Sequence, residues 1–168
     1  TAVPTAIAHQ LQIQSVLGSA GEVQNEAALD FSAVGIQALQ VTLPEGAELL
    51  SAQIGGTPVE VRQTGAAFMI PVTADSQTDG THTLKLLYDA NRGNVAWKDR
   101  LSAVPPQVAV VDGAGQIQPL QILNQAWTIL YPQDTFITDS TGDFVPDQPL
   151  GRPGMIERVR QHLSIVPI

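Results

Sequence analysis

The sequence predicts an all-β fold: a two-sheet antiparallel β-sandwich of the immunoglobulin-like or fibronectin-like class, with a less regular C-terminal extension and one short helix. Three observations predict it. Apolar and polar residues alternate at period two from residue 7 to residue 88, the spacing that sends successive side chains to opposite faces of a strand. Turn residues interrupt that alternation roughly every ten positions, as short sandwich strands require. Charged residues make up only 14% of the 168 residues, and Gln, Thr and Ser stand in their place, which suits exposed sheet faces better than Glu- and Lys-rich helix surfaces.

Seven segments carry the alternation. In the first, Ile7 to Val16, Leu11 and Ile13 share one face with His9, and Gln10, Gln12 and Gln14 take the other. The second, Glu22 to Phe31, sets Val23, Ala27, Leu29 and Phe31 against Gln24, Glu26 and Asp30. Leu39, Val41 and Leu43 form the third, closed by Pro44-Glu45-Gly46, where proline presets φ and glycine accepts a positive one. Leu50, Ala52 and Ile54 follow, and Gly55-Gly56 then makes a two-residue connection of the kind that favours primed hairpin turns. Val59 and Val61 form the fifth segment and Phe68, Ile70 and Val72 the sixth. Pro71, on the opposite parity, marks an edge or a strand end. Leu84, Leu86 and Tyr88 complete the set.

These strands place a sandwich core at residues 1–104. Residues 105–168 read as an addition packed on it: an apolar run from Val108 to Val111 that stops at Asp112-Gly113-Ala114-Gly115, further strands at Gln116 to Leu123 and Ala126 to Tyr131, an acidic loop from Pro132 to Gly151, and a short helix. In that helix Pro153 suits the first turn, Glu157 sits early, Arg158, Arg160 and His162 sit late, and Ile156, Val159 and Leu163 share a face. Trp127 and Tyr131, on the parity of Ile129, read as core.

Sixteen acidic residues against eight basic ones give a formal charge of −8, and Glu22, Glu26, Asp30, Glu45, Glu48 and Glu60 all precede the first basic residue, Arg62. Polyanions would be repelled, so neither nucleic acid nor an anionic membrane surface is an expected partner. No run of about eighteen apolar residues is present to insert into a bilayer. Cysteine is absent, which removes disulfides, thiol catalysis and thiolate metal sites from consideration. Thr1-Ala2-Val3-Pro4 reads as a mature or excised N-terminus, and the expected setting is extracytoplasmic: secreted, periplasmic or cell envelope.

Candidate sites are few. Arg92 to Arg100 gathers three basic residues around a tryptophan, and Trp97 flanked by Lys98 and Arg100 has the composition of a hot spot for a protein or glycan partner; a Trp closing one end of the sandwich is the plainer alternative. Asp139, Thr141 and Asp143 have the alternate spacing of oxygen ligands for a hard cation such as Ca²⁺. Phe144 and Leu150 stand where an EF-hand loop would need Gly and Glu, and a solvated acidic loop explains the segment equally. His9, His82 and His162 have no metal-ligand spacing, and no serine lies in a G-x-S-x-G turn.

Leu43-Pro44-Glu45-Gly46-Ala47-Glu48-Leu49-Leu50-Ser51-Ala52-Gln53-Ile54-Gly55-Gly56-Thr57-Pro58-Val59, with Ile70-Pro71-Val72 after it, resembles β-sandwich modules of large bacterial envelope proteins. It is also similar to the sandwich domain preceding von Willebrand type A domains in inter-alpha-trypsin-inhibitor-like proteins. That resemblance covers about thirty residues and implies a non-catalytic extracytoplasmic module; it transfers no functional residue. The expected function is therefore a structural or binding module. A carbohydrate-active or other hydrolase using Asp139 and Asp143, or a Ca²⁺-stabilised adhesion-like module, are the rivals.

Overall fold

A computed structural model describes residues 5–18, 21–72, 80–91, 104–132 and 146. The chain divides into two units, Thr1–Leu130 and Tyr131–Ile168, and every described strand belongs to the first. The strands are β1 (Thr5–Leu17), β2 (Glu22–Val34), β3 (Ile36–Thr42), β4 (Ala47–Ile54), β5 (Thr57–Pro58), β6 (Arg62–Thr64), β7 (Ala67–Pro71), β8 (His82–Asn91), β9 (Gln107–Asp112), β10 (Ile117–Pro119) and β11 (Ile122–Leu130).

They form two sheets, one of six strands in the order β11-β1-β2-β8-β4-β5 and one of five in the order β10-β9-β3-β7-β6. The sandwich expected from the alternation is what the chain builds. The three strands after residue 104 hydrogen-bond into both sheets: β9 and β10 extend the five-stranded one and β11 the six-stranded one. All pairings are antiparallel except that of β1 with β11, which is parallel.

The alternation is what buries the core. Along β2 the burial pattern is strictly in step with sequence: Val23, Asn25, Ala27, Leu29, Phe31 and Ala33 face inward, and the residues between them face out. Leu11, Leu29, Phe31, Leu84, Leu86 and Tyr88 of the six-stranded sheet meet Ile36, Leu39, Val41, Ile70, Val108 and Val110 of the other in a single apolar cluster.

Two irregularities change the expected facing. A β-bulge between Ala8 and Gln10 breaks the register of β1 with β2, so Ala8 takes the inward place and His9, which simple parity puts on the face of Leu11 and Ile13, is exposed. A second register shift lies between Leu49 and Ser51, and Leu50 beside it is 46% exposed while Ala52 and Ile54 return to the core. The segment read as one strand around Val59 and Val61 is instead the connection between β5 and β6: residues 59–61 lie in neither strand, and the two strands belong to different sheets. Tyr131, expected in the core, follows the last residue of β11 and is 45% exposed, because the alternation that would have carried it inward ends at Leu130.

The turns follow their residues. Pro44-Glu45-Gly46-Ala47 closes with the Ala47 amide donating to the Pro44 carbonyl at 3.0 Å, and Gly46 has φ 77°. Gly55 and Gly56 connect β4 to β5 with φ of 57° and 82°, the two positive values of a type I′ turn. Asparagine at position 55 is expected to cost no more than about 0.5 kcal/mol, since it visits the left-handed region readily. Gly56→Val is expected to cost about 1–3 kcal/mol through backbone strain, read as a lowered urea midpoint. Equal midpoints for the two variants would show that the turn tolerates a left-handed β-branched residue.

At the β9–β10 turn the Asp112 carboxylate accepts from the amides of Ala114 and Gln116, both at 2.9 Å, which explains why the apolar run stops there.

Candidate functional site

The outer face of the six-stranded sheet presents a polar surface. Since the inward residues of β1, β2, β8 and β4 are committed to the core, their alternates must face out, and the sequence fills those positions with amides and acids. Gln12 and Gln14 come from β1, Gln24, Glu26 and Asp30 from β2, Lys85 and Asp89 from β8, and Glu48 and Gln53 from β4. Cross-strand pairs tie them together. Gln24 donates to Asp89 at 3.4 Å, Thr83 Oγ1 donates to Asp30 at 2.5 Å, and Lys85 lies 3.7 Å from Glu26. That ion pair is more than half exposed on both sides, so it orients side chains and adds little stability.

His9 reaches this face because of the bulge, and its Nε2 shares a 2.9 Å hydrogen bond with Ser32 Oγ. A hydroxyl beside an imidazole is the start of a nucleophile–base arrangement. The neighbouring carboxylate on β2, Asp30, accepts from Thr83 instead of orienting the ring. His9 and Ser32 are thus placed as a cross-strand polar pair.

On the inner face a row of polar groups crosses the same sheet near one end. Ser15 and Asn25 are directly opposite each other and both are buried. Trp127 Nε1 donates to Ser15 Oγ at 2.8 Å, and Ser15 Oγ donates to Asn25 Oδ1 at 2.5 Å. One hydroxyl therefore serves as acceptor and donor at once. Tyr88 is opposite Asn25 on the other side; it is 1% exposed, its hydroxyl has no hydrogen-bond partner, and burial pushes its pKa up to about 12.

Sequence reasoning passed over this row. The signal was present: Ser15 lies in phase with Leu11 and Ile13, and Asn25 sits between Val23 and Ala27 on the inward parity. Ser15→Ala is expected to cost about 1–3 kcal/mol, because it strips the acceptor from Trp127 Nε1 and the donor from a buried amide oxygen. Chemical denaturation measures it, and a cost below 0.5 kcal/mol would mean the row contributes no net stability.

The residues singled out as sites, Trp97, Lys98 and Arg100 for a partner and Asp139, Thr141 and Asp143 for Ca²⁺, lie outside the described residues, as do His162 and the helix expected after Pro153. His82, half-buried at the start of β8, tilts at 52° against Phe31 with ring centroids 6.0 Å apart, which places it at the border of the core. Among the described residues no group of three or more His, Cys, Asp or Glu converges as a metal site would require.

Comparison with solved structures adds the architecture's relatives. The M1 zinc metallopeptidase from Deinococcus radiodurans superposes with a TM-score of 0.50 at 12% identity, over 82% of this chain and 37% of that one. The likeness is one of fold. Leukotriene A4 hydrolase from Saccharomyces cerevisiae matches over 76% of this chain and 23% of its own, at 9% identity and a TM-score of 0.47. Legionella pneumophila aminopeptidase A matches over 49% of this chain and 10% of its own, at 13% identity and a TM-score of 0.40. The chain thus spans little more than a third of the Deinococcus metallopeptidase it matches. No family model and no curated protein sequence matches it.

Proposed function

We propose that this chain is a non-catalytic structural or binding module of a secreted or cell-envelope protein, working through the outer face of its six-stranded sheet. One observation carries the reading: four adjoining strands, β1, β2, β8 and β4, present an amide- and acid-rich surface whose opposite side is wholly spent on the core. Lys85 is the one Lys or Arg among the described residues of those four strands, against Glu22, Glu26, Asp30, Glu48 and Asp89. Such a surface favours a basic or uncharged protein or glycan partner and disfavours polyanions.

The test is binding of the full chain to a glycan array and to a panel of purified basic and neutral proteins, repeated with Glu26→Lys/Asp89→Lys. Saturable binding that the double variant weakens supports the proposal. Reproducible hydrolysis of a glycoside or ester by the pure protein, abolished by Asp139→Ala or Asp143→Ala, with no binding to the array or the panel, would overturn it.

A further inference from the structure

Sheet edges are where one chain can add to another, because an edge strand offers a row of backbone donors and acceptors. Among the described residues the two sheets have four edges, and three of these are blunted. β5 is two residues long and includes Pro58; β10 is three residues and includes Pro119; β6 is three residues and begins at Arg62. Each device shortens or interrupts the ladder a newcomer would need.

The fourth edge has none of them. β11 runs nine residues, Ile-Leu-Asn-Gln-Ala-Trp-Thr-Ile-Leu, without proline, glycine or charge, and among the described residues it pairs with β1 alone. Its surroundings are equally neutral. No acidic or basic side chain occurs from Gly113 to Gln133, and none but His9 from Thr1 to Gly21, so the whole β1–β11 margin is uncharged in a chain of net charge −8. Leu123 and Leu130 on β11 and Val16 on β1 are exposed along it at 56%, 46% and 44%.

We propose that β11 is a self-association edge: the partner is a second copy of this chain, whose β11 lies antiparallel across a two-fold axis at Ala126 and joins the two six-stranded sheets into one. Charge argues for a second copy. Two molecules of net charge −8 repel, and approaching through this margin sets neutral strand on neutral strand while the acids of β2, β4 and β8 stay farther from the axis. Register argues for Ala126. It is the midpoint of β11, so a two-fold there pairs all nine residues, Ile122 with Leu130 and Asn124 with Thr128, and sets Ala126 against its own copy. A two-fold interface of this kind closes after two chains and does not propagate into a fibre. The proposal is independent of what the outer face of the sheet binds.

Two experiments on the full chain test it. In sedimentation equilibrium the chain should show a concentration-dependent monomer–dimer equilibrium. Ala126→Lys/Thr128→Lys should weaken it by about tenfold or more through like charges at the axis. Gln63→Lys/Thr64→Lys, the same two charges on the exposed β6 edge, should leave it unchanged. All variants should keep the wild-type circular dichroism, since the altered side chains are exposed.

Ala126→Cys gives an independent reading, because the chain has no cysteine of its own. Opposed residues of an antiparallel pair have Cα atoms about 4.5–5.5 Å apart, within reach of a disulfide. Mild oxidation should therefore link Ala126→Cys chains into dimers and leave Gln63→Cys chains single. A chain that stays monomeric at high concentration, or a dimer indifferent to the Ala126 and Thr128 substitutions, would overturn the proposal.

Discussion

Phe31→Ala is expected to lower the free energy of unfolding by about 3–5 kcal/mol, the range for emptying a buried aromatic site. Phe31 is fully buried on β2, opposite Ala8 of β1 on one side and His82 of β8 on the other. The cost falls toward the upper end because the site cannot close. Its neighbours on the inward face include Ala8 and Ala33, which are too small to move into the space, and the bulge at His9 fixes the β1 backbone alongside. Urea denaturation should show a lower midpoint at an unchanged slope. Val34→Ala, on the outward parity of the same strand and 43% exposed, should change stability by less than about 0.5 kcal/mol. A Phe31→Ala loss no larger than that of Val34→Ala would mean that this part of the core is not packed as described.

Alkaline titration is expected to remove about 2 kcal/mol of stability between pH 10 and pH 12 through Tyr88. The phenol titrates at 10.0 when solvated and at about 12 when buried here, since ionising it would place a charge in the core. Below pH 10 it is protonated in both the folded and the unfolded chain and contributes no pH dependence. Between pH 10 and pH 12 the unfolded chain gives up the proton and the folded chain keeps it, so unfolding becomes progressively easier. Tyr88→Phe should abolish that part of the slope. At neutral pH the same change should be neutral or stabilising by up to about 1 kcal/mol, since the hydroxyl it removes has no partner. Identical alkaline slopes for wild type and Tyr88→Phe would refute the assignment.

The fold class was legible because period-two alternation reports one buried face directly, and the Gly55-Gly56 hairpin because both positions of its turn are left-handed, a conformation glycine enters without strain. Pro71 was legible for a related reason: its missing amide confines it to the end of β7, where it is exposed. What escaped was whatever breaks the period or joins distant residues. The bulge reverses the facing of His9 with no special residue to announce it. The crossing of Val59–Val61 from one sheet to the other has no sequence signal, since Thr57–Pro58 and Arg62–Thr64 on either side each supply too few residues to show a period of their own. The Ser15–Asn25 contact joins two strands at a register that spacing alone leaves undetermined, although both residues stood on the inward parity. The parallel union of β1 with β11 has no local signature, because each strand reads the same whichever neighbour it acquires.

That union also sets an order of events. β1 can zip against β2 as soon as the first few dozen residues have emerged, but its other margin waits for a strand more than a hundred positions downstream, beginning where the Ala8 amide meets the Gln121 carbonyl. Bringing such distant segments together carries a loop-closure entropy that the β1–β2 pairing avoids, so β11 is expected to dock after β2. Until it does, one side of β1 stands open during synthesis, and the nascent chain has an interval of vulnerability to mispairing that ends only when Leu130 has left the ribosome.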